Sequence, residues 1–470
     1  MNLHPSLLAT FGSALLLSGL PPAMGQEPAP APPPKSLAPL TLPSTKPGEK
    51  DTFIPAKLGQ VPAGNDFRDP ESEFCFKRSK SSNHFLILWA KEYGDDPMAN
   101  TKPNRRFNAD EVLQAAELSY EVTLNRLKWA PDPNSRANRY KMLIIVTGGD
   151  NGTAYGGCAE DKVGVLWTPA VRINRGPYGV VAHELGHSFQ GLTRADGAER
   201  FANGGIFAEM TSQYVLWQVF PEWQTFENYH LKAYLKATHL AFLHPDNRYH
   251  TCYPLEYWSF RHGPEFIGRM WREVAKNEDP VLTYQRLTKI DQTRFNDEMF
   301  DAARRFITWD MPRIEKTAAR YADQDTTSVE PLPDGVFRIA PKLAPQNYGY
   351  NAIKLTVPAA GTTVHLGFKG TAGQDGASQV NLKKAGWRYG FLAHLQNGTR
   401  TYSPIYSAAQ GTADYVVPAD TKFLWLVVMG APTGHWVRDD KQPVDEAWPY
   451  QFKLTGSAPD AAIVTRPPNG

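Results

Sequence analysis

Residues 183–187 read His-Glu-Leu-Gly-His, within Val-Val-Ala-His-Glu-Leu-Gly-His-Ser-Phe-Gln. On a helix, this H-E-x-x-H spacing puts His183 and His187 one turn apart on one face, where both imidazoles reach one metal ion. Glu184 then lies beside that ion, placed to take a proton from water activated there. A structural zinc site takes four protein ligands, whereas a catalytic one keeps a position open for water. Two histidines therefore leave a third ligand to be found.

One class of zinc enzyme takes that ligand from a His or Asp in an extended H-E-x-x-H-x-x-G-x-x-H/D pattern. Here Gln190 stands where the glycine should be and Thr193 where the ligand should be, which argues against that class. The other common solution is a glutamate on a following helix. Glu209 offers itself in Gly-Gly-Ile-Phe-Ala-Glu-Met-Thr-Ser-Gln-Tyr, residues 204–214. It is an acid among apolar and small residues on a predicted half-buried helix. Burying a carboxylate costs on the order of several kcal/mol unless a cation compensates it. The competing ligands are Asp196 and Glu199, which lie in a more polar, loop-like stretch, and the bland alternative is a solvent-facing Glu209. Ser212 and Gln213, one turn further on, are within reach to hydrogen-bond its surroundings.

Hydrolysis at such a site also needs a donor for the developing oxyanion. The segment Arg-Tyr-His-Thr-Cys-Tyr-Pro, residues 248–254, is dense in donors and precedes a predicted helix. Tyr249, His250 and Tyr253 are the candidates, each with ordinary half-buried packing as the alternative.

The elements that must position these residues follow from hydrophobic patterning. His84–Ala90, Lys141–Val146 and Lys162–Ile173 read as buried strands, with a glycine-rich turn over 148–157 between the last two. Asn108–Leu127 reads as a helix, with Asn108 as N-cap and Glu111 three residues on. Gly176-Pro177 opens the motif helix, with Pro177 in its first turn and a stop expected near Gly191. Helices are also predicted from about Gly205 to Phe220, and over Phe226–His239, Pro254–Lys276 and Asn296–Ile307. An exposed edge on strand Lys162–Ile173 would pair with an extended peptide, and Gly156-Gly157 would let a substrate backbone approach.

Beyond about Asp325 the pattern changes to short β-rich runs punctuated by Pro and Gly: 352–357, 363–368, 379–382, 390–395, 423–429 and 450–454, with Asn397-Gly398 as a hairpin turn. This reads as a separate β-sandwich. The expected organisation is a signal peptide over 1–25, a Pro-rich linker or propeptide over 26–65, a catalytic domain over 66–325, a β-sandwich over 326–456 and a disordered tail over 457–470. The folded part is expected to begin near Asp66.

The apolar run Leu7–Leu20, followed by Ala23-Met24-Gly25, reads as a cleaved secretory signal despite the lack of Lys or Arg in residues 1–5. It places the protein outside the cytoplasm, secreted or periplasmic. No later apolar run is long enough to span a bilayer. A net charge of +2 with no basic patch excludes a nucleic-acid partner. Cys75, Cys158 and Cys252 fit no zinc-thiolate motif and allow either one disulfide or three thiols. Trp387, Trp425, Trp436 and Trp448 keep a carbohydrate-stacking surface open as an alternative to core packing.

The His-Glu-Leu-Gly-His-Ser-Phe-Gln helix with a following glutamate helix resembles the gluzincin clan of zinc metallopeptidases. More narrowly, six segments resemble a family of secreted bacterial proteins that includes the Svx and AvrXca virulence proteins. These are His-Phe-Leu-Ile-Leu-Trp from His84, the Glu209 segment, Tyr-Pro-Leu-Glu-Tyr-Trp from Tyr253, Ala-Arg-Arg-Phe-Ile-Thr-Trp-Asp from Ala303, and Tyr350-Asn-Ala-Ile-Lys-Leu with Gly386-Trp-Arg-Tyr-Gly. The resemblance implies zinc held by His183, His187 and Glu209, Glu184 as the base, and action on host extracellular proteins, with wall glycoproteins as one candidate class. The expectation is an α+β protein: a gluzincin-like domain of mixed sheet and helices followed by a β-sandwich, acting as a secreted zinc endopeptidase on protein or glycoprotein substrates. Two alternatives stand beside it: a metal hydrolase of glycans or glycoproteins, and a non-catalytic effector or adhesion protein with a vestigial site.

Overall fold

The near-continuous apolar runs at 85–89 and 142–146 become the centre of a seven-stranded sheet in the computed structural model, which describes residues 39–44, 46–374, 376–439 and 444–465. Strands β4 (Phe85–Trp89), β5 (Tyr140–Thr147) and β7 (Val163–Pro169) run parallel. They are buried throughout their middles, as strands covered on both faces must be. Two antiparallel strands flank them: β3 (Ser79–Ser81) on β4 and β6 (Tyr155–Ala159) on β7. A hairpin of β1 (Leu40–Leu42) and β2 (Asp51–Ile54) joins the start of β5 in parallel.

That hairpin corrects the expected start of the fold near Asp66. Phe53 and Ile54 are buried in the main core, so part of the stretch read as linker belongs to the sheet. Short strands amid Pro and Lys carry too little pattern to announce themselves. The signal segment 1–25 and the Pro-rich residues 26–38 lie outside the described residues.

Helices cover the sheet. Helix α1 (Ala109–Glu121) is capped by Asn108, whose side chain accepts from the Asp110 and Glu111 amides, and it passes into a wider turn over Val122–Arg126. After a single turn, α2 (Arg136–Arg139), come α3 (Gly179–Ala195) and α4 (Gly205–Val219), packed against each other, with α3 also lying on β6 and β7. The remaining α-helices are α5 (Trp223–Phe226), α6 (Asn228–Lys236), α7 (Tyr253–His262), α8 (Phe266–Glu273), α9 (Pro280–Thr288), α10 (Gln292–Phe306) and α11 (Glu315–Ala318). Pro177 precedes α3 rather than opening it, and α3 runs through Gly191. A β-carbon at Gly191 would meet that of Cys158 at 2.8 Å, so this glycine serves close packing on β6 and not helix termination.

The C-terminal part forms two antiparallel sheets. One is four-stranded: β10 (Tyr350–Leu355), β15 (Thr421–Gly430), β12 (Trp387–Leu395) and β13 (Arg400–Tyr402). The other is five-stranded: β14 (Gln410–Val416), β11 (Thr363–Gly370), β16 (Tyr450–Thr455), β9 (Val336–Ile339) and β8 (Val329–Pro331). Leu424, Leu426 and Val428 share a core with Val364, Leu366 and Phe368 of the facing sheet. The alternate residues Trp425, Val427 and Met429 join the core of the helices. The period of two along β15 thus buries both faces of the four-stranded sheet.

This differs from the expected separate module. Arg388 pairs with Asp297, and Arg400 with Glu315, across the junction. The described residues fall in one compact unit. Trp387, Trp425 and Trp448 are buried, so they offer no stacking surface, and Trp436 is half-buried. The run 379–382 forms no strand, while Gly398 takes φ +88° in the turn between β12 and β13. Residues 457–465 are not a free tail: bridges join Leu355 to Pro459 and Val329 to Val464. All three cysteines are free thiols. No helix among the described residues is long and apolar enough to cross a membrane.

Candidate metal centre

Helix α3 presents His183 and His187 on one face, and α4 crosses it closely enough to bring Glu209 opposite them. Gly186 permits that crossing: a β-carbon there would lie 2.9 Å from Ser212 Oγ and 3.1 Å from Ser212 Cα. Glu209 Oε2 stands 3.2 Å from His183 Nε2 and 3.1 Å from His187 Nε2. Around a tetrahedral zinc at ordinary bond lengths, neighbouring donor atoms are about 3.3 Å apart. The donor set therefore fits such an ion in chemistry and in spacing. Among the described residues this is the one cluster of three or more His, Cys, Asp or Glu side chains arranged to hold a metal. Asp196 binds Ser135 and Arg136 instead, and Glu199 is exposed.

The surroundings favour a charged carboxylate at this point. Burial works against it, yet the two imidazoles hold the Glu209 carboxyl below its ordinary range. Glu184 is different: burial pushes its carboxyl up, while His183 and His187 oppose that shift. The nearby Gly156 amide also favours its charged form. A carboxyl beside a cation site with a raised affinity for protons has the character of a general base that releases its proton again.

Gln190 orients His187. Its Oε1 lies 3.1 Å from His187 Nδ1, and its Nε2 donates to the Ala208 carbonyl at 2.9 Å and to Ser212 Oγ at 3.1 Å. With the amide so held, Oε1 accepts from Nδ1–H, and the Nε2 lone pair of His187 faces Glu209. Sequence reasoning used Gln190 only to exclude a different ligand pattern. Its spacing of three from His187 on the same helix was the available signal.

These groups sit on the floor of an open cleft of about 1060 Å³. One wall is the start of β6, and the other carries Phe226, Glu227, Tyr229, His230 and Tyr249. Tyr249 is exposed, with its ring 6.2 Å from that of His183 and its hydroxyl near the Glu209 carboxylate. His250 is half-buried and turned to His230, with the two Nδ1 atoms 2.9 Å apart, and it does not line the cleft.

Tyr253 must be corrected as an oxyanion donor. It is fully buried among Trp217, Tyr234 and Trp309, at ring distances of 5.1, 4.6 and 4.7 Å. Its place inside α7 turns it to the core. His230, absent from the sequence reading, lines the cleft instead, and burial lowers its pKa to about 3, so it is neutral at pH 7. No motif spacing marks it.

The expected pairing edge also moves. Strand β7 lies between β5 and β6, so β6 is the outer strand at the cleft. The backbone that Gly156 lets close is that of Glu184, not a substrate's.

No curated protein matches the chain. Among solved structures it is similar to the M60 catalytic domain of Clostridium perfringens ZmpC, solved with the sialyl T antigen, at 14% identity and TM-score 0.29, over 61% of this chain and 62% of that one. It is also similar to the Clostridium perfringens ZmpB M60 catalytic domain with its CBM51-1 and CBM51-2 domains, at 10% identity and TM-score 0.27, over 83% of this chain and 60% of that one. The chain thus spans about three fifths of the length of either solved chain. At such TM-scores the likeness supports no functional argument. A family model does match, over residues 44–461, and the chain belongs to that family, DUF6055, described as a family of unknown function.

Proposed function

We propose that the chain is a secreted zinc-dependent peptidase that acts on extracellular proteins. The observation that carries this reading is the convergence of His183, His187 and Glu209 on one point of a cleft floor, with Glu184 beside them. When bound there, zinc supplies Lewis-acid polarisation of a carbonyl and a lowered pKa for water. Glu184 takes the proton of the attacking water on its carboxylate and passes it to the leaving amine nitrogen. The nearby Gly156 amide favours the charged form of that carboxylate, and Gln190 keeps His187 in the tautomer that ligates. Tyr249, exposed beside His183, is the donor best placed for the oxyanion. An extended peptide fits the open side of β6, where main-chain pairing costs no side-chain specificity.

The apolar segment 7–20 supports export, and the resemblance to Svx and AvrXca supports a host-directed role. A second reading, hydrolysis of glycoproteins, is favoured by Tyr155, Tyr229 and Tyr249. All three are exposed and line the cleft, and although Tyr155 has one face on Trp167 and Tyr229 lies against His230, their exposed parts offer aromatic surface to sugar rings. Incubation of the zinc-loaded protein with denatured protein, glycoprotein and free glycan tests both. Release of new amino termini supports the peptidase, and cleavage of free glycan alone refutes it.

A further inference from the structure

Arginine chemistry at one end of the cleft names the substrate more closely, and the inference rests on the peptidase reading. A short turn, Ala170–Arg172, follows β7 and leads to the start of α3. It brings Arg172 and Arg175 to the cleft wall, both exposed. Arg172 is anchored: its Nε donates to the Gly152 carbonyl at 3.0 Å, which ties this turn to the loop before β6. One of five guanidinium N–H groups is used, and the planar fork of the remaining donors is left to the cleft.

Neither arginine has a carboxylate partner among the described residues. The acids that line the same cleft are already engaged. Glu184 is attracted by His183 and His187, Glu209 meets the same two histidines, and Glu227 accepts from Trp223 Nε1 at 3.0 Å. Two uncompensated guanidinium groups on the wall of a cleft hold a standing attraction for an anion, and a carboxylate matches their planar donors in pairs.

We propose that Arg172 and Arg175 bind a carboxylate of the substrate, so that the site selects peptides carrying Asp or Glu near the cleaved bond. The two arginines are specificity residues and take no part in proton transfer.

The test uses two labelled peptides, alike except for Glu or Gln at the central positions. Their binding to the zinc-loaded Glu184→Gln variant is read by fluorescence anisotropy, so no turnover is needed. The Glu peptide is expected to bind on the order of tenfold more tightly. That gap closes at high salt and in the background that also carries Arg172→Ala and Arg175→Ala. Binding of the Gln peptide stays unchanged there, which also shows that the fold is intact. Arg172→Lys keeps the charge but loses the fork, so it retains only part of the gap. Equal binding of the two peptides, or a gap that survives the double arginine substitution, overturns this proposal alone. Binding of neither peptide overturns it together with the peptidase reading.

Discussion

Gly156 lies so close to Glu184 that a β-carbon on it would meet the Glu184 carbonyl oxygen at 1.8 Å. Strand β6 and the motif helix are therefore in contact through bare backbone. The same glycine's amide, close by, favours the charged form of the Glu184 carboxylate. One small residue thus sets how closely the strand approaches the base and favours the charged form of its carboxylate.

Gly156→Ala is expected to force β6 away from α3. Overpacking of this kind costs about 1–3 kcal/mol, and here the obstacle is backbone that cannot rotate aside. Urea denaturation should show a lower midpoint, and catalytic turnover should fall with it. An unchanged midpoint would mean that the two elements are not packed as described.

Glu184→Gln keeps size and shape but cannot take a proton. Turnover should fall on the order of 100- to 10,000-fold, while zinc content and thermal stability stay as in the wild type. Full activity in this variant removes Glu184 from the role of base.

Gln190→Ala should weaken zinc binding on the order of 10- to 100-fold, because the Nδ1–H of His187 loses its acceptor. Gln190→Glu restores an acceptor and should recover most of that affinity. If the alanine variant binds zinc normally, Gln190 only fills space.

The His84–Glu117 pair gives a pH-dependent stability. Burial raises the affinity of the Glu117 carboxyl for protons, but hydrogen bonds from His84 outweigh it and bring the pKa from 4.5 to about 2. The distance between His84 Nδ1 and Glu117 Oε2 is 2.6 Å. A folded pKa below the unfolded one stabilises the fold above pH 4.5, and that contribution is lost as pH falls from 4.5 toward 2. The pair is partly exposed, so Glu117→Gln should cost about 1–2 kcal/mol at pH 6, with the difference from wild type shrinking by pH 3. Denaturant melts at the two pH values check this. A difference that does not depend on pH would contradict it.

Much of the site was legible because its chemistry is local. His183, Glu184 and His187 lie within five residues, and helical spacing alone brings them to one face. Glu209 was legible for a different reason, since an acid among apolar neighbours needs a cation. Tyr253 shows where that kind of reading ends. A donor-dense segment does not say which donor faces the cleft, and Tyr253 turns inward among tryptophans. Trp387, Trp425 and Trp448 fail as a stacking surface for the same reason: aromatic content does not distinguish a core from a platform. The exposed cleft rings are tyrosines at 155, 229 and 249, far apart in the chain and joined only by the fold. The β1–β2 hairpin escaped because a short strand beside prolines has no periodicity to read.

Zinc titration of the metal-free protein tests the central claim most directly. The wild type should bind one zinc ion per chain tightly, and His183→Ala, His187→Ala and Glu209→Ala should each abolish tight binding while the far-ultraviolet circular dichroism of the chain stays unchanged. A wild-type chain that binds no zinc, or a Glu209→Ala variant that binds it as the wild type does, would contradict the proposed site.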